Sequence, residues 1–358
     1  MAIQRVAVVG AGTMGAGIAQ LCLQRGFAVK IHDASSEALD SALERIKRGL
    51  DEAVLKTKLT TAAAERAFHS LAPAARMEDL YGADLLVEAV SEDLDLKRRL
   101  FERVSHICPD SILATNTSSL PVTRIAQAAR SPERVLGMHF FNPPAAMRLV
   151  EMVRGPMTLP SVFQEAWDFV LMGLKKAPVD VEDTPGFIVN RVMRPYYLEA
   201  QRAALSGCGI AALDRAARDV GQVPMGPFEL MDLIGLDVNL AITRGIYEAF
   251  GRPERFKPCP LQERLVREGF LGRKVNGGFY VYEGGKRTLE NPRATEGLPS
   301  SGLDPAEAWE RVIGAVISEA ELAFKDKVAS KADIDTAIKL AMNFPRGPFQ
   351  WRSPAAKP

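Results

Sequence analysis

The stretch Ile3-Gln4-Arg5-Val6-Ala7-Val8-Val9-Gly10-Ala11-Gly12-Thr13-Met14-Gly15 decides the fold. Ile3 to Val9 is a short apolar run rich in β-branched residues, the pattern of a buried parallel strand. Ala16 to Arg25 then reads as a helix, so the three glycines sit in a strand-to-helix turn. The first glycine permits the tight turn, the second lets a pyrophosphate approach the backbone, and the third lets helix and strand pack closely. The helix N-terminus offers N–H groups and positive potential to phosphates. Phe27 to His32 is a second strand and ends at Asp33. A carboxylate there bonds ribose hydroxyls and repels a 2′-phosphate, which favours NAD over NADP. A GxGxxG alone is a weak signal that a plain tight turn also satisfies. The strand, the helix and the downstream acid together select the nucleotide reading.

Working outward, Glu37 to Leu55 carries a long helical pattern, and Leu94 to Ile107 carries another. Leu85 to Val90, Ser111 to Thr115 and Val135 to Phe141 are apolar strands, each followed by polar or small residues. This alternation predicts a doubly wound α/β domain of Rossmann type, a parallel sheet covered on both faces. Glu151 lies in a further strand-like run, and Phe163 to Leu174 with Val179 to Val181 close the domain as helix and strand. Thr184-Pro185-Gly186 marks its end. Asn190 to Ser206 and most of the chain to Phe250 read as helix, so the second domain is expected to be all α.

The helical part repeats itself. Arg191-Val192 with Glu199-Ala200 matches Arg311-Val312 with Glu319-Ala320 at equal spacing. Leu213-Asp214-Arg215-Ala216 matches Ile334-Asp335-Thr336-Ala337, and Pro224 to Phe228 matches Pro345 to Phe349. The expected organisation is therefore a nucleotide-binding domain over 1–184, a helical domain over 185–286, a linker over 287–304 and a partial repeat over 305–358. The connector from about Gly284 to Asp304 is rich in Gly, Pro and Ser and reads as exposed.

The candidate chemistry follows the later strands. In an open α/β sheet, ligands bind beyond the carboxyl ends of the strands. His139 ends one strand, and Glu151 follows it by twelve residues in Leu149-Val150-Glu151-Met152-Val153. Histidine takes a proton near neutral pH, and a carboxylate on its other nitrogen fixes the tautomer and stabilises the imidazolium. A proton acceptor beside a nicotinamide is what alcohol oxidation requires, although a lone strand histidine is commonly structural. Ser118 and Ser119 stand just past another strand, where a hydroxyl serves equally as a substrate contact or a helix cap. Glu88, Glu92 and Lys97 lie near the expected nicotinamide site, and by pattern alone they also fit a solvated surface. Lys47, Arg48, Lys56 and Lys58 form a basic cluster interspersed with acids, a solvated face unless a phosphate-bearing substrate uses it. His32 adjoins Asp33, and His69 and His106 belong to helix surfaces.

The bulk numbers narrow the classes. The 358 residues carry a formal charge of +1, which argues against nucleic acid as the main partner. No apolar run approaches the roughly 20 residues of a membrane helix, so no membrane partner is expected. No histidine pair has metal-ligand spacing, and Cys22, Cys108, Cys208 and Cys259 are too scattered for a metal or redox motif. They read as free thiols of a reducing compartment. With no secretory signal ahead of the first strand, the protein is expected to be cytoplasmic.

Together these motifs resemble the L-3-hydroxyacyl-CoA dehydrogenase family, of the 3-hydroxybutyryl-CoA dehydrogenase type. The matching segments are 10–20 (GAGTMGAGIAQ), 87–97 (VEAVSEDLDLK), 116–120 (NTSSL), 139–143 (HFFNP), 149–153 (LVEMV), 183–191 (DTPGFIVNR), 225–237 (MGPFELMDLIGLD) and 269–282 (GFLGRKVNGGFYVY). The resemblance implies NAD-dependent oxidation of an (S)-3-hydroxyacyl-CoA to the 3-ketoacyl-CoA. It implies His139 as general base, Glu151 as its orienting partner, Ser118 on the substrate's 3-oxygen and Asn190 on the acyl group. It assigns Gly10, Gly12, Thr13, Met14, Gly15, Asp33, Glu92, Lys97, Asn116, Ser118 and Asn142 to the cofactor, and Lys56 to the CoA phosphates. In short family members the helical domain forms the dimer contact; here the half-repeat either packs against the first copy and imitates a partner or extends a true dimer, and a homodimer through the helical domain is expected. Two departures stand out: Pro144-Ala145-Ala146-Met147 replaces the usual Val-Pro-Val-Met, and Asn276 replaces a common glycine. The Asn-Pro-Pro run is similar to the L-gulonate dehydrogenase and lambda-crystallin branch, so a free hydroxy or sugar acid is the competing substrate class. A cofactor-binding scaffold without turnover is the third reading.

Overall fold

The structure, a computed structural model, describes residues 3–351 and divides into two compact units with the break after Phe187. In the first unit, strands and helices follow in the order β1 (Arg5–Val9), α1 (Thr13–Gln24), β2 (Ala28–His32), α2 (Ser36–Leu55), α3 (Thr61–His69), β3 (Leu71–Pro73) and β4 (Leu85–Glu88). Then come α4 (Leu94–Ile107), β5 (Ile112–Thr115), α5 (Val122–Ala126), β6 (Val135–Phe140), β7 (Leu149–Arg154), α6 (Pro160–Asp168) and β8 (Ala177–Glu182). A short π-helical turn, Phe169–Gly173, ends the segment expected as one helix. The eight strands form one sheet in the order β3-β2-β1-β4-β5-β6-β7-β8.

The expected doubly wound sheet is present, with one reversal. Neighbouring strands are parallel except for β6 and β7, which run antiparallel. The apolar run of β7 reads the same in either direction, and the short connection from Phe141 to Arg148 leaves no room for a crossover helix. β1, β4, β5 and β6 have almost no exposed residue, as expected of strands covered on both faces. β3 was not read from the sequence, because it is a three-residue edge strand of mostly exposed residues; His69, expected on a helix, ends α3.

The second unit holds α7 (Val189–Val192), α8 (Arg194–Leu205), α9 (Ile210–Asp219), α10 (Pro227–Ile234), α11 (Leu236–Ala249) and α12 (Pro260–Arg267). A hairpin of β9 (Tyr280–Glu283) and β10 (Lys286–Glu290) follows, then α13 (Pro292–Thr295), α14 (Pro305–Lys325) and α15 (Lys331–Met342). The stretch expected as an exposed linker is therefore partly ordered. Asn291 is buried, donates from Nδ2 to the Gly278 carbonyl at 2.7 Å and caps α13. Its glycines make the hairpin turn at Gly284-Gly285, which composition alone does not separate from a loop. Asn276 takes the left-handed conformation at φ 59°, as its replacement of glycine allows.

The sequence repeat is a structural one. Asp214 Oδ1 accepts the Phe228 N–H at 3.0 Å, and its counterpart Asp335 Oδ1 accepts the Phe349 N–H at 2.9 Å. α14 packs on α7, α8 and α9. The two copies exchange ion pairs: Arg191 bonds Glu319 at 2.8 Å, and Arg311 lies 3.9 Å from Glu199. That reciprocity is the mark of a self-complementary interface, here closed within one chain. The last residues assigned to the half-repeat, 352–358, lie outside the described residues.

Candidate functional site

The glycine turn is packed as its spacing demands. Gly10 has φ 102°, and a Cβ there would lie 2.5 Å from the Ala89 carbonyl oxygen. A Cβ on Gly15 would lie 1.7 Å from the Gly10 oxygen, so α1 approaches β1 only through a glycine. A Cβ on Gly12 would meet nothing within 4 Å. Close packing thus explains two of the glycines and leaves the second beside open space, where a pyrophosphate fits. Gly12 caps α1 without a side chain, and Thr13 and Met14 begin the helix. Asp33 closes the turn from β2, its Oδ2 accepting the Ala11 N–H at 2.7 Å and its Oδ1 the Ser35 N–H at 3.0 Å. These residues fit a dinucleotide at the carboxyl edge of the sheet.

Three strands along from β1, the antiparallel step pairs His139 of β6 directly with Glu151 of β7. Directly opposed residues project from the same face, and His139 Nδ1 lies 2.6 Å from Glu151 Oε2. The Glu151 side chain is 0% exposed and that of His139 is 8% exposed. The imidazole rests against Phe141, ring centroids 4.6 Å apart, and Phe187 at 5.8 Å. Phe187 was not singled out in the sequence. It is a buried phenylalanine at φ 49°, a conformation uncommon for bulky residues and often found near functional sites. The only local signal was its place after Pro185-Gly186.

Between these two features lies a polar cluster on the ends of β4 and β5. Glu92 Oε1 faces the Thr117 hydroxyl at 2.6 Å, the Ser118 N–H at 2.9 Å and the Ser119 N–H at 3.1 Å. The Ser119 and Ser118 hydroxyls approach the same oxygen at 3.0 and 3.3 Å. Burial would raise the Glu92 carboxyl, but the Lys97 charge and the donors from 117–119 bring it below its ordinary value. Lys97 is not on a solvated face. Its side chain is 1% exposed, and Nζ bonds Glu88 Oε1 at 2.5 Å with Glu92 Oε2 at 3.4 Å. Asn116 ties this cluster to β6, its Oδ1 accepting the Phe140 N–H at 2.8 Å.

The departure at Pro144 to Ala146 has a definite place. Pro144 packs on α1 at Gly17, where a Cβ would come 2.8 Å from its ring. Lys176, missed in the sequence, donates to the carbonyls of Pro144 at 2.7 Å and Met147 at 2.5 Å. Burial, with the positive charges of Arg25, Lys58 and Arg148, pushes this lysine down to about 8. Pro143, Ala145 and Ala146 line a cavity of about 400 Å³ with Arg45, Arg48, Lys56 and Lys58. Lys56 bonds Glu52 at 3.3 Å on its rim. Arg48, Lys56 and Lys58 of the basic cluster, with Arg45, are thus gathered round a hollow, whereas Lys47 is not among its lining residues. Asn142 follows β6, and Asn190 belongs to α7 of the second unit.

Among the described residues no His, Cys, Asp and Glu group is arranged to hold a metal ion, and no helix is long and apolar enough to cross a membrane. The four cysteines are free and buried.

Residues 5–184 match the 3-hydroxyacyl-CoA dehydrogenase NAD binding domain, and residues 186–282 and 308–353 match the 3-hydroxyacyl-CoA dehydrogenase C-terminal domain. The chain is 35% identical to a 3-hydroxyadipyl-CoA dehydrogenase of Escherichia coli K12, with 98% of this chain and 90% of that protein covered. It is 39% identical to a 3-hydroxybutyryl-CoA dehydrogenase of Bradyrhizobium diazoefficiens, covering 79% of this chain and 97% of the other. The crystal structure of an Escherichia coli K12 3-hydroxybutyryl-CoA dehydrogenase superposes with TM-score 0.89 at 34% identity, covering 98% of this chain and 91% of that one.

The glycine geometry separates packing from ligand approach. Gly12→Ala is expected to keep the melting temperature within a few degrees yet weaken NADH binding at least ~10-fold, since its Cβ enters only the space of the pyrophosphate. Gly15→Ala should lose both stability and binding. Fluorescence titration with NADH and thermal melts check this, and unchanged NADH affinity in Gly12→Ala would remove the pyrophosphate from that space.

Proposed function

The chain belongs to the 3-hydroxyacyl-CoA dehydrogenase family as an NAD-dependent dehydrogenase, and we propose that it interconverts (S)-3-hydroxyacyl-CoA and 3-ketoacyl-CoA with His139 as general base. The observation that carries this reading is the buried 2.6 Å contact between His139 and Glu151. With its Nδ1 proton donated to that carboxylate, the imidazole has the Nε2 lone pair for the substrate hydroxyl. Glu151 then stabilises the imidazolium that forms, in a site where few waters compete. NAD, when bound, accepts the hydride from C3. Ser118 holds the 3-oxygen, Asn190 the acyl group, and Asp33 the adenosine ribose. Glu92, Asn116 and Asn142 shape the nicotinamide side together with Lys97. Proton transfer of this kind contributes ~10²–10⁴-fold, and alignment of C3 supplies much of the remainder. The buried free thiols fit a cytoplasmic enzyme.

Acetoacetyl-CoA with NADH and L-gulonate with NAD are the discriminating substrates. Turnover is expected on the thioester, and turnover on L-gulonate alone would move the protein to the sugar-acid branch that its Asn142-Pro143-Pro144 run resembles. His139→Gln should lower kcat by at least ~10²-fold. A near-normal rate would remove His139 from the chemistry.

The cavity lined by Arg45, Arg48, Lys56 and Lys58 fits the phosphates of CoA. Replacing Lys56 and Lys58 together by alanine is expected to raise KM for acetoacetyl-CoA several-fold, more at low than at high salt. KM for the matching N-acetylcysteamine thioester, which lacks those phosphates, should stay the same. An equal rise for both substrates would place the CoA phosphates elsewhere.

For assembly we propose a homodimer held by the helical unit on a face other than the one α14 covers. Leu233, Ile234, Val238 and Val275 are each more than a third exposed and lie close in the chain or across the Lys274–Asp237 bond of 2.6 Å. Light scattering on the purified protein should give twice the chain mass, and Val238→Asp should halve it. A monomeric mass for the unaltered protein would overturn this.

A further inference from the structure

We propose that Glu88 is a positioning residue for the reaction: it anchors Lys97 beneath the 117–119 turn, so that Glu92 stays on that turn and the Ser118 hydroxyl stays aimed at the substrate oxygen. The proposal rests on the reading of Ser118 given above. Glu88 is the last residue of β4 and its side chain is 0% exposed. It accepts from Lys97 Nζ at 2.5 Å, from the Val90 N–H at 2.7 Å and from the Thr115 hydroxyl at 2.6 Å. Both of its oxygens are therefore engaged within the protein.

Burying these charges is unfavourable in itself. Removing each ion from water costs several kcal/mol, and an apolar pair of the same volume is often at least as stable. What the pair provides that apolar packing would not is a fixed division of the ammonium's donors. Lys97 gives its short bond to Glu88 and reaches Glu92 Oε2 only at 3.4 Å, with a further contact to the Val90 carbonyl at 3.4 Å. Glu92 Oε1 is left to the turn, where it meets two backbone N–H groups and three hydroxyls of 117–119. A carboxylate oxygen has lone pairs for about two of these at once. The Ser118 hydroxyl, at 3.3 Å, has the longest contact and is the one that a substrate oxygen can draw away. Without Glu88 the ammonium would move onto Glu92 and pull that carboxylate off the turn.

The test is a double-mutant cycle in kcat for acetoacetyl-CoA reduction. Glu88→Gln should lower kcat about 10-fold or more in the parent protein but no more than about 2-fold in the Ser118→Ala background, because coupled residues are not additive. Equal losses in both backgrounds, or an unchanged kcat for Glu88→Gln, would overturn the proposal. Full activity of Ser118→Ala would instead remove Ser118 from the substrate, a separate failure. In a Lys97→Met background Glu88→Gln should cost no more than about 2-fold in kcat, because no ammonium is left to pull Glu92 from the turn. A loss of about 10-fold there would overturn the proposal, as would a thermal melt showing that the kcat loss of Glu88→Gln is unfolding.

Discussion

A buried histidine facing a buried carboxylate across one antiparallel pair of strands is the contact around which this site is organised. Glu151 is wholly withdrawn from water. A buried polar group needs hydrogen-bond partners within the protein, and a ring nitrogen of His139 lies 2.6 Å from this one. The contact exists because β7 turns back along β6, placing residue 151 in register with residue 139. A parallel β7 would put its acid in a slanted register further from the ring. The single reversal in the sheet is thus a condition of the chemistry proposed for it.

Oppositely charged pairs are also buried elsewhere among the described residues. Glu88 and Lys97 lie under the turn that carries Ser118, and Arg191 meets Glu319 where the half-repeat packs on the first copy. Apolar residues would fill either space at less desolvation cost. In both, the ions fix a geometry that apolar contacts leave loose: the aim of a carboxylate in one case, the register of α14 on α7 in the other. The exchange of partners between Arg191–Glu319 and Arg311–Glu199 shows that the same pair of side chains sets register from both sides.

Much of this was legible in the sequence, and the omissions have physical reasons. The glycine turn, α4 and the strands ending at Asp33 and His139 were readable because burial on both faces imposes unbroken apolar runs and a helix imposes its own period. The internal repeat was readable because it preserves ions and glycines at fixed spacing. The direction of β7 was not, since an apolar run carries no sign. The burial of Glu88 and Lys97 was not, because charges on a helix and at a strand end usually meet solvent. Only their joint placement, nine residues apart and bonded at 2.5 Å, reveals the pair. The ordered hairpin and Asn291 were hidden by a composition that loops share.

The break in family pattern after the histidine also takes on a physical meaning. Pro144 is seated on α1 at Gly17, and Lys176 binds the carbonyls of Pro144 and Met147, so this loop is held at both ends. Its small side chains, Ala145 and Ala146, face the cation-lined cavity rather than the His139 ring. Larger residues there would narrow the hollow between the loop and α2. The substitution therefore bears on the shape of that cavity, and it leaves the His139–Glu151 contact, set by strand register, as it is.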